Sequence, residues 1–278
     1  MEKRIGLIAG NGEFPLVFAK KAKKEGFKVY VSAFKNEASK EIEDISEQVN
    51  WVYVGQIKKI INFFKKNLVN EAVMIGGIKK TRLFFDVRPD SLALKAIAKL
   101  KTTNDDNVLR AFSNIMESHG IKICSSSDLI PELLAKRGIW TKKQPTKENL
   151  NDIWLGFNAA KSIGFLDIGQ TVVVSGGSII AVEAVEGTDE TIKRGGSLSN
   201  RGGVVVKTSK PNQDLRFDLP SIGSETIVQM KKYGLDVLAV ETLKTNVLNL
   251  DELIKTADEN KICIIAVDDL FFKELGLE

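Results

Sequence analysis

Short apolar runs alternate with helical patterns along the first half of the chain. The apolar runs have strand length, and three of them end in glycine. The segments between them repeat apolar residues every three or four positions, which is typical of amphipathic helices. This alternation predicts a parallel sheet with helices on both faces. The predicted strands are 4–10, 28–34, 51–55, 71–77 and 121–127, and the predicted helices are 14–24, 56–67 and 105–119.

The second half has a different pattern. Residues 170–186 form two β-branched runs around a Ser-Gly-Gly turn, which indicates a β-hairpin. Further strands are predicted at 202–210, 235–241 and 261–267, and helices from Thr146, at 224–233 and at 251–260.

Between the halves, periodicity is lost before Pro145, which predicts a linker over 136–145. We therefore expect an α/β protein with a Rossmann-like parallel-sheet domain at 1–135. A distinct mixed α/β domain, carrying a cluster of carboxylates, is expected at 146–278.

Composition narrows the chemistry. The 278 residues contain one histidine, His119, and two cysteines, Cys124 and Cys263. These numbers exclude a disulfide scaffold and a zinc site built on cysteines or several histidines. The net charge of +4 is too small to argue for nucleic acid as a partner. Free cysteines in strand contexts, and the lack of an 18-residue apolar window, favour a cytoplasmic protein.

Two glycine pairs follow predicted strands. Gly10-Asn11-Gly12 stands between the first strand and the first helix, and Gly76-Gly77 ends the fourth strand. Glycines allow a backbone to approach an anion at a helix N-terminus, so both pairs are candidates for substrate binding. The third glycine of a dinucleotide fingerprint is replaced by Pro15, and strand 28–34 ends without an acidic residue, which disfavours NAD. A plain tight turn is the alternative interpretation.

Acidic residues fall at predicted strand and loop positions of the second half. In an extended DLRFD stretch, Asp214, Arg216 and Asp218 would point to one side. Carboxylates without histidine or cysteine suit Mg²⁺ or Mn²⁺, although from spacing alone solvated surface charge is the more common explanation of such residues. Lys207, in the basic run that precedes them, could neutralise a phosphate.

Taken together, these motifs resemble the UDP-2,3-diacylglucosamine pyrophosphatases of the LpxI type across nearly the whole chain. That resemblance implies a Mg²⁺-dependent hydrolase of lipid A biosynthesis. Its products would be UMP and 2,3-diacylglucosamine 1-phosphate (lipid X), formed by attack of water on the β-phosphorus. It also implies a Rossmann-like domain and a distinct C-terminal domain with the substrate between them. The motifs are 6–15, 76–90, 105–112, 166–174, 182–190 and 210–227.

The resemblance also assigns roles to residues. The essential aspartate of the family maps to Asp218, with Asp214 as the competing assignment, and the EGTD run contributes Glu186, Thr188 and Asp189. We expect Asp218, with Asp214 or Asp189, to hold Mg²⁺ and Glu186 to orient the attacking water. Thr188 would contact substrate, and Lys207 or Arg216 would stabilise the UMP leaving group.

The substrate implied by the resemblance carries two acyl chains. The loop 81–90 offers Leu83, Phe84 and Phe85 beside basic residues, so it could touch the cytoplasmic face of the inner membrane. Alternatively, these aromatic side chains cap the N-terminal core. The sequence leaves open a homodimer. It also leaves two other functions: a nucleotide-sugar dehydrogenase or transferase, and a non-catalytic nucleotide-binding regulator.

Overall fold

Two sheets organise the chain, each in its own structural unit. The computed structural model describes residues 2–78, 87–98, 100, 105–211, 214, 216–217 and 219–277. The first unit comprises Met1–Pro131 together with Asp214–Asp218, and the second comprises Glu132–Gln213 and Leu219–Glu278.

In the described part of the first unit, five parallel strands lie in the order β3-β2-β1-β4-β5. The chain builds outward from β1 to β3, then returns to place β4 on the other side of β1. The order of strands therefore reverses between β1 and β4. The elements are β1 (Lys3–Ala9), α1 (Phe14–Lys24), β2 (Phe27–Phe34), α2 (Ile42–Ile45), β3 (Gln48–Val52), α3 (Ile57–Lys66), β4 (Glu71–Ile75), α4 (Ser91–Ile97), α5 (Asp105–Ser118), β5 (Lys122–Ile123) and α6 (Ser126–Leu129).

Helices cover both faces of this sheet, so its strands are buried on both sides. Phe18 of α1 is fully buried on one face. On the other face, α3 and α5 contribute Phe64 and Met116 to a hydrophobic cluster with Ile8 and Ile123. This arrangement confirms the predicted Rossmann-like sheet.

The second unit contains a six-stranded sheet in the order β6-β13-β11-β9-β7-β8, within the residues that the structure describes. Strands β9, β11 and β13 are parallel, whereas β7, β8 and β6 are antiparallel to their neighbours. A two-stranded sheet joins β10 to β12. The elements are β6 (Gly138–Ile139), α7 (Lys147–Phe165), β7 (Thr171–Ser175), β8 (Ser178–Val182), α8 (Thr188–Leu198), β9 (Val204–Lys207), β10 (Ser221–Ile222), α9 (Ser224–Lys232), β11 (Val237–Glu241), β12 (Asn246–Val247), α10 (Leu250–Glu259), β13 (Cys263–Val267) and α11 (Asp269–Glu274).

Two hydrophobic layers sandwich the larger sheet. Helices α8, α9 and α10 pack on one face and α7 and α11 on the other. Helix α7 begins at a capping box formed by Thr146 and Asn149. It approaches the sheet at Gly156, where a Cβ atom would lie 2.5 Å from Cγ2 of Val206. The predicted mixed α/β domain is therefore confirmed as a fold.

The structure differs from the predicted linker at 136–145. Gly138–Ile139 forms β6 and pairs with β13, and Thr141 Oγ1 accepts a hydrogen bond from the amide of Ile264 at 3.0 Å. Sequence periodicity fails here because a two-residue edge strand is too short to show one. The segment is part of the second unit.

Candidate functional site

Two glycine loops meet at the carboxyl edge of the first sheet. The Gly10 amide donates to the Ile75 carbonyl at 2.8 Å, and the Asn11 amide donates to the Gly77 carbonyl at 2.8 Å. The backbones approach so closely that a Cβ on Gly10 would lie 2.5 Å from the Gly77 carbonyl oxygen. The loops that the sequence singled out separately therefore form one structure.

This structure lies where the strand order reverses, between the carboxyl ends of β1 and β4. Open α/β sheets bind ligands in the crevice at such a point. Gly12 is exposed with φ +97°, and Glu13 gives α1 no side-chain cap. The N-terminus of α1, where the helix dipole is positive, lies at this edge of the sheet. The arrangement suits an anion.

Asp214, Arg216 and Phe217 belong to the first unit, although they lie far along the chain. Asp214 and Phe217 do not follow the extended path that the alternating charges predicted, because the Phe217 amide donates to the Asp214 carbonyl at 3.0 Å, as in a turn. Asp214 forms an ion pair with Arg216, in which Nη2 of Arg216 lies 2.8 Å from Oδ2 of Asp214. Hydrogen bonding from that guanidinium lowers the pKa of Asp214. Asp218 lies outside the described residues.

The EGTD run leads into helix α8, which was not among the predicted elements. Asp189 is exposed in the first turn of α8, where a carboxylate complements the helix dipole. Thr188 Oγ1 donates to Glu183 Oε1 at 3.1 Å. Glu186 pairs with Arg194 at 2.6 Å, and its pKa is lowered first by backbone hydrogen bonds and then by that guanidinium. Thr188 and Glu186 therefore have structural partners within the second unit.

The described residues do not assemble a metal site. Within the ranges that the structure describes, no three carboxylate, histidine or cysteine side chains group as ligands for one ion. Both oxygens of Asp214 are bound by Arg216, at 3.0 and 2.8 Å, which leaves little capacity for a metal. Asp189 belongs to the other unit. The predicted ligand set of Asp214, Asp189 and Asp218 is therefore not supported by its described members.

A basic cluster at the carboxyl edge of the second sheet was only partly foreseen. Lys207 ends β9, is 8% exposed, and donates to the Ser221 carbonyl at 3.1 Å. Two residues further, Ser209 donates through its amide and its hydroxyl to Glu241 Oε2, both at 2.9 Å. The same carboxylate forms ion pairs with two lysines: Lys161 Nζ lies 2.5 Å from Oε2, and Lys244 Nζ lies 2.9 Å from Oε1.

The electrostatics of this cluster follow from burial. Glu241 is 4% exposed, and burial alone would raise its pKa, but hydrogen bonds from Lys161, Lys244 and Ser209 lower the pKa overall. Burial lowers the pKa of Lys161, and the bond to Glu241 partly opposes this. One carboxylate thus pairs with two ammonium groups beside the loop that follows Lys207.

The same edge concentrates buried polar atoms without hydrogen-bond partners in the described part of the chain. Such atoms are uncommon in folded proteins and call for an explanation. Thr208 and Thr242 follow the adjacent strands β9 and β11, and Gln170 accepts from the Thr208 amide through its carbonyl at 3.0 Å. The unpartnered atoms here are Gln170 Oε1, Thr208 Oγ1, Thr242 Oγ1, Thr245 Oγ1 and Asn246 Oδ1.

The sequence could point only to part of this cluster. The run 207–210 was visible because its lysines are adjacent in the chain. Lys161 and Glu241 are 80 positions apart and carry no local signal of their pairing.

No helix in the described ranges is long and apolar enough to cross a membrane. The aromatic loop at 83–85, considered for membrane contact, lies outside the described residues.

Comparison with known proteins covers both units. The profile of the LpxI N-terminal domain matches residues 4–133, and that of the LpxI C-terminal domain matches residues 136–265. A UDP-2,3-diacylglucosamine pyrophosphatase, LpxI, of Caulobacter vibrioides is 30% identical over 277 residues, covering 96% of this chain and 98% of that protein.

Solved structures are more distant. A CobK precorrin-6A reductase aligns over 96% of this chain and 88% of its own, at 9% identity and a TM-score of 0.32. The biotin carboxylase domain of a Hydrogenobacter thermophilus 2-oxoglutarate carboxylase aligns over 63% of this chain and 35% of its own, at 14% identity and a TM-score of 0.29. These likenesses are too weak to bear on function. The two domain profiles and the full-length relative show that the chain belongs to the LpxI family.

Proposed function

We propose that the protein is the hydrolase of lipid A biosynthesis that cleaves the pyrophosphate of UDP-2,3-diacylglucosamine to UMP and 2,3-diacylglucosamine 1-phosphate. The relative in Caulobacter vibrioides carries the name of this activity. The observation that carries the proposal within this chain is the basic cluster at the end of β9 and β11. Pyrophosphate cleavage depends chiefly on neutralising charge that builds up on phosphate oxygens.

In this proposal the second unit handles the pyrophosphate. Lys207 neutralises a non-bridging oxygen from the end of β9. Ser209 and the backbone of its loop are held rigid by Glu241, so the ammonium groups of Lys161 and Lys244 need little reorganisation when the anion arrives. Preorganised charge of this kind contributes more to catalysis than charge that must be moved into place.

The first unit holds the nucleotide in this proposal. The paired glycine loops leave the backbone of Gly12 exposed at the start of α1, where phosphate is favoured. Strand β2 ends at Phe34 and continues into Lys35, so the acid that binds the ribose in NAD enzymes is missing from this position. This favours a nucleoside phosphate over a dinucleotide cofactor and weighs against the dehydrogenase alternative.

Water is the nucleophile, and Asp218 is proposed as the essential aspartate. A bound Mg²⁺ would screen phosphate charge and lower the pKa of water. The proposal of a Mg²⁺ requirement rests on the family resemblance, because the described carboxylates do not form a complete ligand set. Glu186 is proposed to orient the attacking water. Its carboxylate must first separate from Arg194, with which it forms an ion pair at 2.6 Å.

The test uses purified protein and UDP-2,3-diacylglucosamine in mixed micelles with Mg²⁺. We expect release of UMP, which falls about 10³-fold in Asp218→Ala and about 10²-fold in Lys207→Ala, as expected for groups that act in the transition state. Arg201→Ala, which alters a surface arginine outside the basic cluster, is the control and should retain activity. Binding of UMP without turnover would indicate the regulator instead. Reduction or oxidation of NAD with a nucleotide sugar would indicate the dehydrogenase.

Peripheral contact with the inner membrane is a separate proposal, which follows from the acyl chains of the substrate. It predicts co-sedimentation of the protein with anionic vesicles. Binding that persists in Phe84→Ser with Phe85→Ser would exclude the loop 81–90 as the anchor.

A further inference from the structure

Two lysines of the second unit share the carboxylate of Glu241 but differ in how fully their ammonium groups are used. Besides Glu241 Oε2 at 2.5 Å, Lys161 Nζ donates to the Ser209 carbonyl at 3.0 Å and to Ser209 Oγ at 3.5 Å. An ammonium group has three hydrogens, so each hydrogen of Lys161 already has an acceptor. Lys161 is therefore committed to the segment 207–210, which ends β9 and follows it.

Lys244 is engaged much less. Among the residues that the structure describes, its ammonium group has one hydrogen-bond acceptor, Glu241 Oε1 at 2.9 Å. Its side chain is 48% exposed, whereas that of Lys161 is 23% exposed. Two of its three hydrogens are thus available to a ligand. The group formed by Glu241 and both lysines also has one negative and two positive charges, and this surplus favours an anion.

The backbone on both sides of Lys244 is held in place. The Leu243 amide donates to the Ala135 carbonyl at 2.9 Å, and the Ala135 amide donates to the Thr245 carbonyl at 2.9 Å. The Asn246 amide donates to the carbonyl of Pro220 at 2.7 Å. Lys244 can therefore reach a ligand by side-chain rotation alone, which takes picoseconds to nanoseconds in an exposed residue.

The same loop contains buried polar atoms without partners in the described part of the chain. They are Thr242 Oγ1, Thr245 Oγ1 and Asn246 Oδ1. Thr245 and Asn246 are 0% and 1% exposed. Most buried polar atoms in folded proteins have a hydrogen-bond partner. Three exceptions within five positions are typical of a segment that binds a polar ligand.

We propose that Lys244 binds a phosphate oxygen of the substrate, and that its ammonium group moves there from Glu241 while Lys161 stays in place. The inference rests on the proposed function, since it assigns this contact to the pyrophosphate. Glu241 is buried, and a buried charge without a partner is strongly destabilising. When Lys244 leaves, Glu241 keeps its ion pair with Lys161, so the movement replaces one ion pair with another and leaves no buried charge alone.

Lys244→Met tests the contact, because methionine keeps an unbranched stem and removes the charge. We expect kcat/KM for UMP release to fall by about 10-fold or more, the loss that follows from removing one hydrogen bond to a charged group. Lys193→Met is the matched control. Lys193 pairs with Glu190, also three positions earlier, at 3.0 Å, and its side chain is 50% exposed. The control should keep the wild-type kcat/KM, and an unchanged kcat/KM in Lys244→Met would overturn the proposal.

Hydrogen exchange separates binding from a structural role. Lys161→Met should speed exchange in the peptide covering 207–210, because it removes the bonds to Ser209. Lys244→Met should leave exchange in that peptide as in the wild type. If Lys244→Met speeds exchange there as much as Lys161→Met does, Lys244 is structural and its assignment to the substrate is wrong.

Calorimetric titration with inorganic pyrophosphate measures the contact without turnover. We expect the wild type to bind pyrophosphate, with a dissociation constant about 10-fold higher in Lys244→Met and unchanged in Lys193→Met. Equal dissociation constants in the wild type and Lys244→Met, or no binding to the wild type, would overturn the contact. A wild type that binds pyrophosphate but releases no UMP from UDP-2,3-diacylglucosamine would instead refute the proposed function.

Discussion

Replacing Gly76 with alanine should separate the two glycine loops of the first unit. Gly76 has φ +92°, and an added Cβ would lie 2.5 Å from the Asn11 carbonyl oxygen and 2.8 Å from the Gly10 carbonyl carbon. Both neighbours are backbone atoms, which cannot rotate away as a side chain would. The loops must therefore move apart or the backbone must change conformation.

The expected loss combines two effects. A left-handed conformation costs an alanine about 1–2 kcal/mol. Overpacking against fixed atoms costs about 1–3 kcal/mol more. Gly12→Ala is the matched control, because Gly12 has a similar φ of +97° but nothing within 4 Å of the added Cβ. Gly12→Ala should lose only the first amount, and the difference between the variants isolates the contact between the loops.

The assay is native-state hydrogen exchange resolved by peptide. It is preferred over a single unfolding midpoint, because a protein with two units need not unfold in one step. Opening free energies of β1 and β4 should fall by about 2–5 kcal/mol in Gly76→Ala, as the sum of both effects, while β9 and β11 stay unchanged. Equal losses in Gly76→Ala and Gly12→Ala would show that the loops do not pack closely.

Three further predictions concern the second unit, the thiols and the cofactor. Because Glu241 has a lowered pKa, its contribution to stability is complete above its unfolded value of about 4.3 and is lost as pH falls through the lower folded value. Glu241→Gln should remove this dependence of stability on pH and lower the free energy of unfolding by about 3–5 kcal/mol at pH 7, measured by urea unfolding of the second unit. A pH dependence that survives in this variant would contradict the assignment. Burial raises the pKa of Cys263 to about 11 and also raises that of Cys124, so neither thiol should react with Ellman's reagent at pH 8 until the protein is denatured. EDTA should abolish UMP release and Mg²⁺ should restore it; turnover that is unaffected by EDTA would exclude the proposed metal requirement.

The sequence predicted an element correctly where the pattern of apolar residues within that element alone determines its structure. The buried runs of β9, β11 and β13 read as strands because parallel strands are covered on both faces. The glycines at the ends of β1 and β4 were recognisable as loops, but that they meet depends on the reversal of strand order. Helix α8 could have been found from Gly187 and the acidic first turn at Asp189 and Glu190.

Long-range pairing explains what the sequence could not provide. The stretch at 214–217 looks extended because its charges alternate. Yet Arg216 bonds across 103 positions to Ser113, and the Phe217 amide donates to the Asp214 carbonyl as in a turn. Likewise, Glu241 gathers Lys161 from a helix 80 positions away. Neither partner is predictable from its neighbours, since the contact exists only after the sheets form.

Hydrolysis of UDP-2,3-diacylglucosamine in water enriched in ¹⁸O tests the central claim most directly. The two products are separated after one turnover with Mg²⁺, and the mass of each is measured by mass spectrometry. Attack of water on the β-phosphorus predicts one ¹⁸O atom in 2,3-diacylglucosamine 1-phosphate and none in UMP. Label in UMP would contradict the proposed attack, and the absence of both products would contradict the proposed function itself.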